Sequence, residues 1–224
     1  MHVHILGICG TLMGSIAMLA RDQGHTVTGS DENVYPPMST QLEQAGVDIA
    51  NGYSADSIPD SADMVIVGNA NLRRGNPALE AVLNARTPYI SGAEWLGRYL
   101  LKDRWVIAVA GTHGKTTTTT MVAALLDGAG IDPTVINGGI INAYGSNAKA
   151  GTGDWIVLEA DESDGTFTKL RATIAIVTNM DPEHMEHYGS MQALRDAFDT
   201  YVKNIPFYGF GVLCTDHPEV SSMV

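Results

Sequence analysis

The chain has 224 residues, of which 45% are hydrophobic and 17% are charged. This composition is typical of a globular protein with one large or two modest domains and a substantial core. The formal net charge is −12 and the basic residues form no run, which argues against nucleic acid or an anionic membrane surface as a partner.

The amino-terminal segment MHVHILGICG has neither a basic start nor a long apolar stretch, and no apolar run reaches the roughly 20 residues that span a membrane. We therefore expect a cytoplasmic protein that binds small molecules. The two cysteines, Cys9 and Cys214, lie far apart and outside any metal-type spacing. We interpret them as reduced thiols of ordinary buried cysteines.

In the first hundred residues, short β-rich segments alternate with segments of helical period. The predicted strands are 2–7, 25–31, 47–53, 64–70 and 89–92, and the predicted helices are 13–23, 39–45 and 77–85. This alternation predicts a βαβ series with buried parallel strands.

A second series of strands begins after the segment LLKDR, at residues 100–104. Its predicted strands are 105–111, 134–138, 154–161, 173–179 and 210–216. The predicted fold is therefore α/β, with a Rossmann-like domain at 1–104 followed by an incomplete P-loop-type parallel α/β domain at 105–224.

The segment GTHGKT follows the first strand of the second series and opens a predicted helix. Its backbone N–H groups would converge on an anion, Lys115 would reach the outer phosphates of a nucleotide, and the Thr116 hydroxyl would bind Mg²⁺. The pattern G-x-x-x-x-G-K-[ST] fails because Val109 occupies the first glycine position, so we interpret the segment as a compact phosphate loop. The alternative is an accidental match at a strand–helix turn. The candidate nucleotide-binding residues are Gly111, Thr112, His113, Gly114, Lys115, Thr116, Thr117 and Asn179.

The segment DWIVLEADESDGTF supplies an apolar strand that ends in four acids within six residues, Glu159, Asp161, Glu162 and Asp164. A carboxylate at the end of a neighbouring strand usually accompanies Mg²⁺ that is bound to phosphates. This position favours a role in metal binding over the alternative of a solvated acidic face.

The next strand is followed by TNMDPEHMEHYG, in which Asp181 and Pro182 are typical of a helix start. His184 is either a metal ligand or a capping residue, and the residues alone leave both possibilities open. His187, one helical turn later, ranks lower because no acidic strand end accompanies it.

Four motifs in this order, GTHGKTTTT, EADESDGTF, TNMDPEHMEHYG and NIPFYG, resemble the central domain of the Mur ligases over roughly residues 106–224. That family uses G-T-x-G-K-T without the earlier glycine. The resemblance implies ATP and Mg²⁺ as cofactors and catalytic roles for Lys115, Glu159 and His184. It implies that Lys115 binds the β- and γ-phosphates, that Thr116 and Glu159 bind one Mg²⁺, and that His184 binds a second.

The first hundred residues resemble a different branch of the same family. The segments HILGICGTLMG, GSDENVYPPMST, GNANLRRGNP and SGAEWLGRYLLKDRW are similar to the branch that recycles muropeptides, whereas the central motifs are similar to the branch that adds L-alanine. Ser163 stands where the recycling branch would carry tyrosine. We therefore interpret the chain as a mosaic and favour an engineered fusion near 105–115 over a natural lineage.

The resemblance also implies that UDP-N-acetylmuramate is a substrate and that the segment GICGTLMG binds it. Read as a dinucleotide fingerprint this segment is weak, because Cys9 and Leu12 replace two glycines. Asp31, after the second strand, would reach a ribose or a base, or else serve as a turn residue. The candidate substrate contacts are Gly7, Gly10, Thr11, Met13, Ser30, Asp31 and Asn69, with Asn142, Tyr144, Asn147 and Ser163 expected near the sugar and its lactyl group.

Three functions stay open at this point. The first is an ATP-dependent ligase of peptidoglycan synthesis or recycling, which joins UDP-N-acetylmuramate through an acyl phosphate to L-alanine or an L-alanyl peptide. Family members are roughly twice as long and have a third domain, so we expect this chain to be a fragment without useful activity alone. The second is a non-catalytic UDP-sugar- or ATP-binding module, and the third is an NAD-dependent oxidoreductase. A homodimer through an exposed sheet edge is also expected.

Overall fold

The computed structural model describes residues 1–68 and 72–224. The chain divides into two compact units, Met1–Leu96 and Gly97–Val224. Each unit is built on its own sheet, which is flanked by helices. No helix in the described part of the chain has both the length and the apolar character needed to cross a membrane.

The first unit contains β1 (His2–Leu6), β2 (Thr26–Asp31), β3 (Asp48–Asn51), β4 (Met64–Val67) and β5 (Tyr89–Ser91). Its helices are α1 (Thr11–Asp22), α2 (Met38–Gln44), α3 (Pro77–Ala85) and α4 (Gly92–Trp95), with a 3₁₀ turn at Ala55–Ser57. A π-helical turn at Leu96–Leu100 begins at the last residue of this unit and continues into the second. The strands are parallel in the order β3-β2-β1-β4-β5. The order changes direction at β1, so the carboxyl ends of β1 and β4 flank a crevice of the kind in which such sheets bind ligands.

Burial on both faces explains why the central strand β1 forms in this place. Val3, His4, Ile5 and Leu6 are all at most 1% exposed, so side chains that point to opposite faces are covered alike. Helix α3 begins where Asn76 accepts hydrogen bonds from two backbone N–H groups of the first turn, at 3.1 and 3.2 Å.

The second unit contains β6 (Trp105–Ala110), β7 (Thr134–Ile141), β8 (Ser146–Lys149), β9 (Trp155–Glu159), β10 (Ile174–Val177) and β11 (Phe210–Leu213). Its helices are α5 (Lys115–Gly128), α6 (Met185–Tyr188), α7 (Met191–Lys203) and α8 (Pro218–Ser221), with a 3₁₀ turn at Thr166–Lys169. The strand order is β11-β10-β6-β9-β7-β8. Among the described strands of this sheet, β7 and β8 pair antiparallel and all other neighbours pair parallel.

An aromatic cluster fixes α7 against the strand that leads to the candidate phosphate loop. The ring centroids of Phe198 and Tyr201 lie 5.1 and 5.2 Å from that of Phe167, and all three side chains are buried. The Tyr201 hydroxyl donates a 2.7 Å hydrogen bond to the Ala108 carbonyl oxygen in β6, and burial raises the pKa of Tyr201 far above its usual value. The packed side chains of Phe167, Phe198 and Tyr201 therefore support the position of β6.

The α/β fold class agrees with the sequence-based prediction. Each predicted strand corresponds to an observed strand, and the bounds of the two differ by a few residues. The antiparallel hairpin of β7 and β8 was not predicted. It is held by Lys149, whose Nζ lies 2.7 Å from Asp127 Oδ1 and 2.8 Å from Asp132 Oδ1. These pairs join residues 17 or more positions apart, so no local pattern in the sequence reveals them.

The prediction that both cysteines are buried is wrong. Cys214 is exposed and Cys9 is partly exposed, and both are free thiols. Cys214 follows the edge strand β11, whose residues are mostly exposed, and Cys9 lies in the loop between β1 and α1. Cys214 is therefore open to solvent, whereas Cys9 is only partly covered.

Candidate active site

The loop between β6 and α5 has a backbone that needs glycine at two places. Gly111 has a φ of 134°, and a Cβ atom there would collide with the Thr178 hydroxyl. Gly114 has a φ of 79° and directly precedes Lys115, the first residue of α5. The sequence GTHG thus turns the chain tightly from the strand into the helix, with the helix N-terminus open at the loop.

Side chains after β10 hold this loop in place. Asn179 Oδ1 accepts a 2.7 Å hydrogen bond from the His113 N–H, while the Asn179 amide donates to the His113 carbonyl at 2.9 Å. The Thr178 hydroxyl donates to the same carbonyl at 2.7 Å, and the Asp181 N–H donates to Thr112 Oγ1 at 2.8 Å. Asn179 and Thr112 therefore position the loop through contacts within the protein.

Lys115 lies over the loop and contacts the acidic segment. Its Nζ donates a 2.8 Å hydrogen bond to Glu162 Oε2 and lies 3.9 Å from Asp161 Oδ1. The Lys115 side chain is 12% exposed and that of Glu162 is 1% exposed. The sequence predicted a metal role for the acidic segment as a whole, but nothing in the sequence distinguished Glu162 as the partner of the lysine.

Thr116 and Glu159 meet at the start of α5, as the sequence predicted for a shared metal. The Thr116 hydroxyl donates a 2.8 Å hydrogen bond to Glu159 Oε2, which also accepts from the Gly138 N–H at 2.8 Å. A Cβ atom on Gly138 would lie 2.6 Å from that oxygen, so the carboxylate fits only because residue 138 is glycine. A hydroxyl and a carboxylate are hard oxygen ligands, which fit Mg²⁺.

His184 occupies the N-cap position of α6 with a φ of 56°, but its side chain makes no capping hydrogen bond. Its Nε2 lies 3.8 Å from Glu162 Oε1 and its Nδ1 lies 3.8 Å from Glu186 Oε1. Among the described residues, no group of three or more histidine, cysteine, aspartate or glutamate side chains is arranged to hold a metal ion. A cation beside His184 would therefore need ligands from phosphate and water as well.

His187, the weaker candidate, lies beside Gly165 and Tyr188. Its Nε2 lies 2.9 Å from the position that a Cβ atom on Gly165 would take, and its ring contacts that of Tyr188. The Tyr188 hydroxyl donates to the Glu162 carbonyl oxygen, and burial, followed by the nearby acids, raises the pKa of Tyr188 well above its usual range. Tyr188 lies near the end of the motif TNMDPEHMEHYG, but it is 26 residues from Glu162, and nothing in the motif indicates that the two residues are in contact.

In the first unit, Asp31 organises the glycine-containing loop after β1. Its Oδ2 accepts a 2.9 Å hydrogen bond from the Cys9 N–H and its Oδ1 accepts one of 2.9 Å from the Asn33 N–H. The side chain is buried. This geometry favours the interpretation of Asp31 as a turn residue, because both carboxylate oxygens already bind backbone groups.

The other predicted contacts of the first unit are divided between surface and interior. Gly7, with a φ of 80°, is partly exposed, and Gly10 and Thr11 are exposed at the start of α1. Met13 is buried, and the buried Ser30 hydroxyl lies 3.4 Å from His4 Nε2. The predicted contact Asn69 lies outside the described residues.

The four residues expected near the sugar differ in exposure and in the partners that the structure gives them. Asn142 is exposed and Asn147 is buried in β8. The Tyr144 hydroxyl donates to the Asp127 carboxylate, and the Ser163 hydroxyl donates to Asp161 Oδ2 at 2.9 Å. Their contact with a sugar stays a prediction.

Two family models match the chain, one to each half. The model "Mur ligase family, catalytic domain" matches residues 2–104, and the model "Mur ligase middle domain" matches residues 109–224. Together these matches cover both sheets and both candidate sites.

Curated relatives match the chain without a break. A protein of Sinorhizobium medicae named UDP-N-acetylmuramate–L-alanine ligase is 54% identical over 222 residues, which cover 99% of this chain and 46% of the relative. A protein of the same name from Rhodospirillum centenum is 53% identical over 226 residues, covering 99% and 45%. The chain thus spans about half the length of these relatives. Since single relatives match both halves, the likeness of each half to a different branch does not require a fusion.

Solved structures give the same result. The UDP-N-acetylmuramate:L-alanyl-gamma-D-glutamyl-meso-diaminopimelate ligase of Neisseria meningitides superposes with a TM-score of 0.92 at 36% identity, covering 99% of this chain and 74% of that one. The UDP-N-acetylmuramate-alanine ligase of Thermotoga maritima superposes with a TM-score of 0.89 at 31% identity, covering 100% and 51%. Sequence, fold and loop geometry agree, and the chain belongs to the Mur ligase family.

Proposed function

We propose that this chain forms the UDP-sugar-binding and phosphate-binding part of an ATP-dependent ligase that joins UDP-N-acetylmuramate to L-alanine. The names of relatives that are more than 50% identical support L-alanine over an L-alanyl peptide as the amine substrate. The relatives also support a cytoplasmic location, where nucleotide-linked cell-wall precursors are available. From the sequence, we propose that the boundary between the two domains lies between residues 104 and 105.

The observation that carries the proposal is the convergence of three elements on the N-terminus of α5. Lys115 and Thr116 come from the helix, Glu159 from the end of β9, and the loop 111–114 is held open by contacts to Asn179. Such an arrangement binds a chain of phosphates through backbone N–H groups, one ammonium group and a metal ion. A dehydrogenase requires none of these features.

The proposed reaction has two steps. The lactyl carboxylate of UDP-N-acetylmuramate attacks the γ-phosphorus of ATP, which forms an acyl phosphate and releases ADP. The amine of L-alanine then attacks the carbonyl carbon, the C–O bond to phosphate breaks, and an amide and inorganic phosphate result. Phosphorylation converts a poor leaving group into a good one.

The part of the protein in the first step is electrostatic and positional. Lys115 neutralises charge on the β- and γ-phosphates. The N–H groups of the loop, together with Thr117 in the first turn of α5, fix the direction of the phosphate chain. Thr116 and Glu159 would hold one Mg²⁺ and His184 a second, and these ions supply further neutralisation of the transferring phosphoryl group.

The first unit is proposed to bind the uridine diphosphate part of the substrate at the loop of Gly7 and Gly10. Gly7 N–H donates to the Ser30 carbonyl at 2.8 Å, which directs the loop across the carboxyl ends of β1 and β2. That edge is where doubly wound sheets bind nucleotides. Asp31 contributes indirectly, because its carboxylate fixes the loop at Cys9.

Two alternatives have less support. An NAD-dependent oxidoreductase would use an acid after the second strand for the ribose hydroxyls, but both oxygens of Asp31 are engaged by backbone N–H groups. A non-catalytic binding module would share the same contacts with ligands. It therefore differs from the ligase only in turnover.

A ligand panel tests the proposal. Calorimetric titration should show binding of UDP-N-acetylmuramate and of Mg²⁺ with ATP, and no saturable binding of NAD. Equal affinity for NAD, or no binding of UDP-N-acetylmuramate, would contradict it. In the full-length protein, product formation that depends on both ATP and L-alanine separates the ligase from the binding module.

We further propose that copies of the chain associate through the edge strand β11. Phe210 is 58% exposed and Val212 is 46% exposed on this strand, whose outer edge is unpaired in the described sheet. Sedimentation velocity over a hundredfold range of concentration tests this association, with Val212→Lys as the variant expected to prevent it.

A further inference from the structure

Glu162 has no role in the chemistry proposed above, although its side chain is only 1% exposed. Removing a carboxylate from water costs free energy unless its oxygens gain partners. Oε2 has one, because Lys115 Nζ donates to it at 2.8 Å. Oε1 is buried, and it has no hydrogen-bond partner among the described residues.

The ring of His184 faces this unpartnered oxygen, with Nε2 at 3.8 Å from Oε1. That separation is too long for a hydrogen bond. Mg²⁺ binds its ligands at about 2.0–2.1 Å, so two atoms on one ion lie about 3.0 Å apart at a right angle and about 4.2 Å apart when opposite. The observed separation of 3.8 Å lies between these two values, so a shift of either side chain by less than about 1 Å would bring both atoms to an octahedral arrangement.

Backbone and side-chain contacts fix both groups relative to each other. The carbonyl oxygen of Glu162 accepts hydrogen bonds from the Tyr188 hydroxyl and, at 3.0 Å, from the Gly165 N–H. The carbonyl oxygen of His184 accepts from the N–H groups of His187 and Tyr188, at 2.9 and 3.1 Å. Tyr188 therefore links the backbones of Glu162 and His184, which carry the carboxylate and the imidazole.

We propose that Glu162 Oε1 and His184 Nε2 bind one divalent cation between them, with phosphate oxygens and water as its other ligands. The proposal rests on the proposed function, since the phosphates of ATP complete the coordination. Two protein ligands are enough for Mg²⁺, which usually binds through one or two carboxylates together with substrate phosphates. Because Oε2 stays on Lys115, one buried carboxylate would connect this cation to the phosphate lysine.

Counting bound Mn²⁺ by electron paramagnetic resonance, with a non-hydrolysable ATP analogue present, tests this inference. We expect two Mn²⁺ per chain in the unmodified protein and one in each of the variants Glu162→Gln and His184→Asn. Glu186→Gln is the matched control, because it removes a carboxylate 3.8 Å from the other ring nitrogen of His184, at a side chain that is 82% exposed. This control should keep two ions.

Three results would overturn the inference. Two Mn²⁺ in folded Glu162→Gln would show that Oε1 is not a ligand, and one Mn²⁺ in the unmodified protein with nucleotide bound would show that the second site does not exist. Failure of the unmodified protein to bind the nucleotide at all would instead refute the proposed function. If Glu162→Gln does not fold, Glu162→Asp keeps the charge but withdraws the carboxylate by one methylene, and it should also bind only one ion. Two ions in that variant would again overturn the inference.

Discussion

The Thr116 hydroxyl and the Glu159 carboxylate are joined by a 2.8 Å hydrogen bond, although they lie 43 residues apart in the sequence. Thr116 belongs to the first turn of α5, and Glu159 ends the strand β9, which pairs directly with β6. The parallel register brings both groups to the same edge of the sheet. A metal ion bound there would lie beside the phosphates that the helix N-terminus attracts.

Gly138→Ala should weaken the dependence of nucleotide binding on Mg²⁺. The new methyl group would lie 2.5 to 2.6 Å from the two carboxylate oxygens of Glu159, so the carboxylate must move away from Thr116. We expect the Mg²⁺ concentration at half-saturation, measured by calorimetry at fixed ATP, to rise at least about tenfold, the loss expected for one charged contact.

Gly128→Ala is the matched control for this experiment, because a Cβ atom at that helical position meets nothing within 4 Å. It should leave the Mg²⁺ dependence unchanged. Equal Mg²⁺ dependence of Gly138→Ala and the parent would show that Glu159 does not bind the metal.

Lys115→Ala should weaken the binding of Mg²⁺ with ATP about 10- to 150-fold. The lost contact is a charge-assisted hydrogen bond to phosphate, which contributes about 1.5–3 kcal/mol. Lys203→Ala serves as the control, since Lys203 is 76% exposed on α7 and pairs only with Asp199 among the described residues. If both variants bound the nucleotide as tightly as the parent, the loop would have no part in phosphate binding.

The sequence was sufficient to predict the fold class and the meeting of Thr116 with Glu159. The fold class rests on local patterns, namely apolar strands followed by glycine or acidic residues, combined with the rule that parallel strands bring their carboxyl ends to one edge. The choice of Glu159 among the four acids rests on the resemblance to the Mur ligases. The roles of these residues in binding ligands stay predictions.

Other contacts between distant side chains could not be predicted from the sequence. One acid ends β9 and three follow it, and nothing in their order shows that Glu162 is buried on Lys115 while Asp161 is exposed. The choice depends on the turn at Gly165, which has a φ of 70°, and on the Tyr188 hydroxyl that fixes the backbone of Glu162. Asp31 shows the same limit, because an acid after a second strand has the same pattern whether it binds a ribose or a loop.

Alkylation should distinguish the two cysteines. Burial, followed by Asp31 and Glu43, raises the pKa of Cys9 to about 11, so about one molecule in a thousand carries its thiolate at pH 8. Cys214 is exposed. With iodoacetamide at pH 8, mass spectrometry of tryptic peptides should show Cys214 modified at least about tenfold faster.

The slow reaction of Cys9 also reports on the proposed UDP site. Cys9 lies between Gly7 and Gly10, so saturating UDP-N-acetylmuramate should slow its alkylation further and leave the rate at Cys214 unchanged. Protection of both thiols alike would indicate a general effect on stability. Absence of any protection of Cys9 would argue against binding at this loop.

The stability of the first unit should fall in mild acid because of His4. This side chain is 1% exposed, its Nδ1 lies 2.9 Å from Thr28 Oγ1, and burial together with the neighbouring His2 lowers its pKa from 6.5 to about 4. Above pH 6.5 the imidazole is neutral in both the folded and the unfolded chain. Between about pH 6.5 and 4 only the unfolded chain takes up the proton, so the contribution of His4 decreases as the pH falls and is fully lost below about 4.

The expected loss is about 3 kcal/mol of the free energy of unfolding between pH 7 and 4. Trp95 is buried in the first unit, so its fluorescence during urea unfolding reports on that unit once Trp105 and Trp155 are replaced by phenylalanine. His4→Gln in this background should remove most of the acid-dependent loss, because glutamine does not titrate. His25→Gln, at a partly exposed site, should remove little of it. An identical pH dependence in the parent and in His4→Gln would show that other groups, and not the buried imidazole, determine the acid sensitivity of this unit.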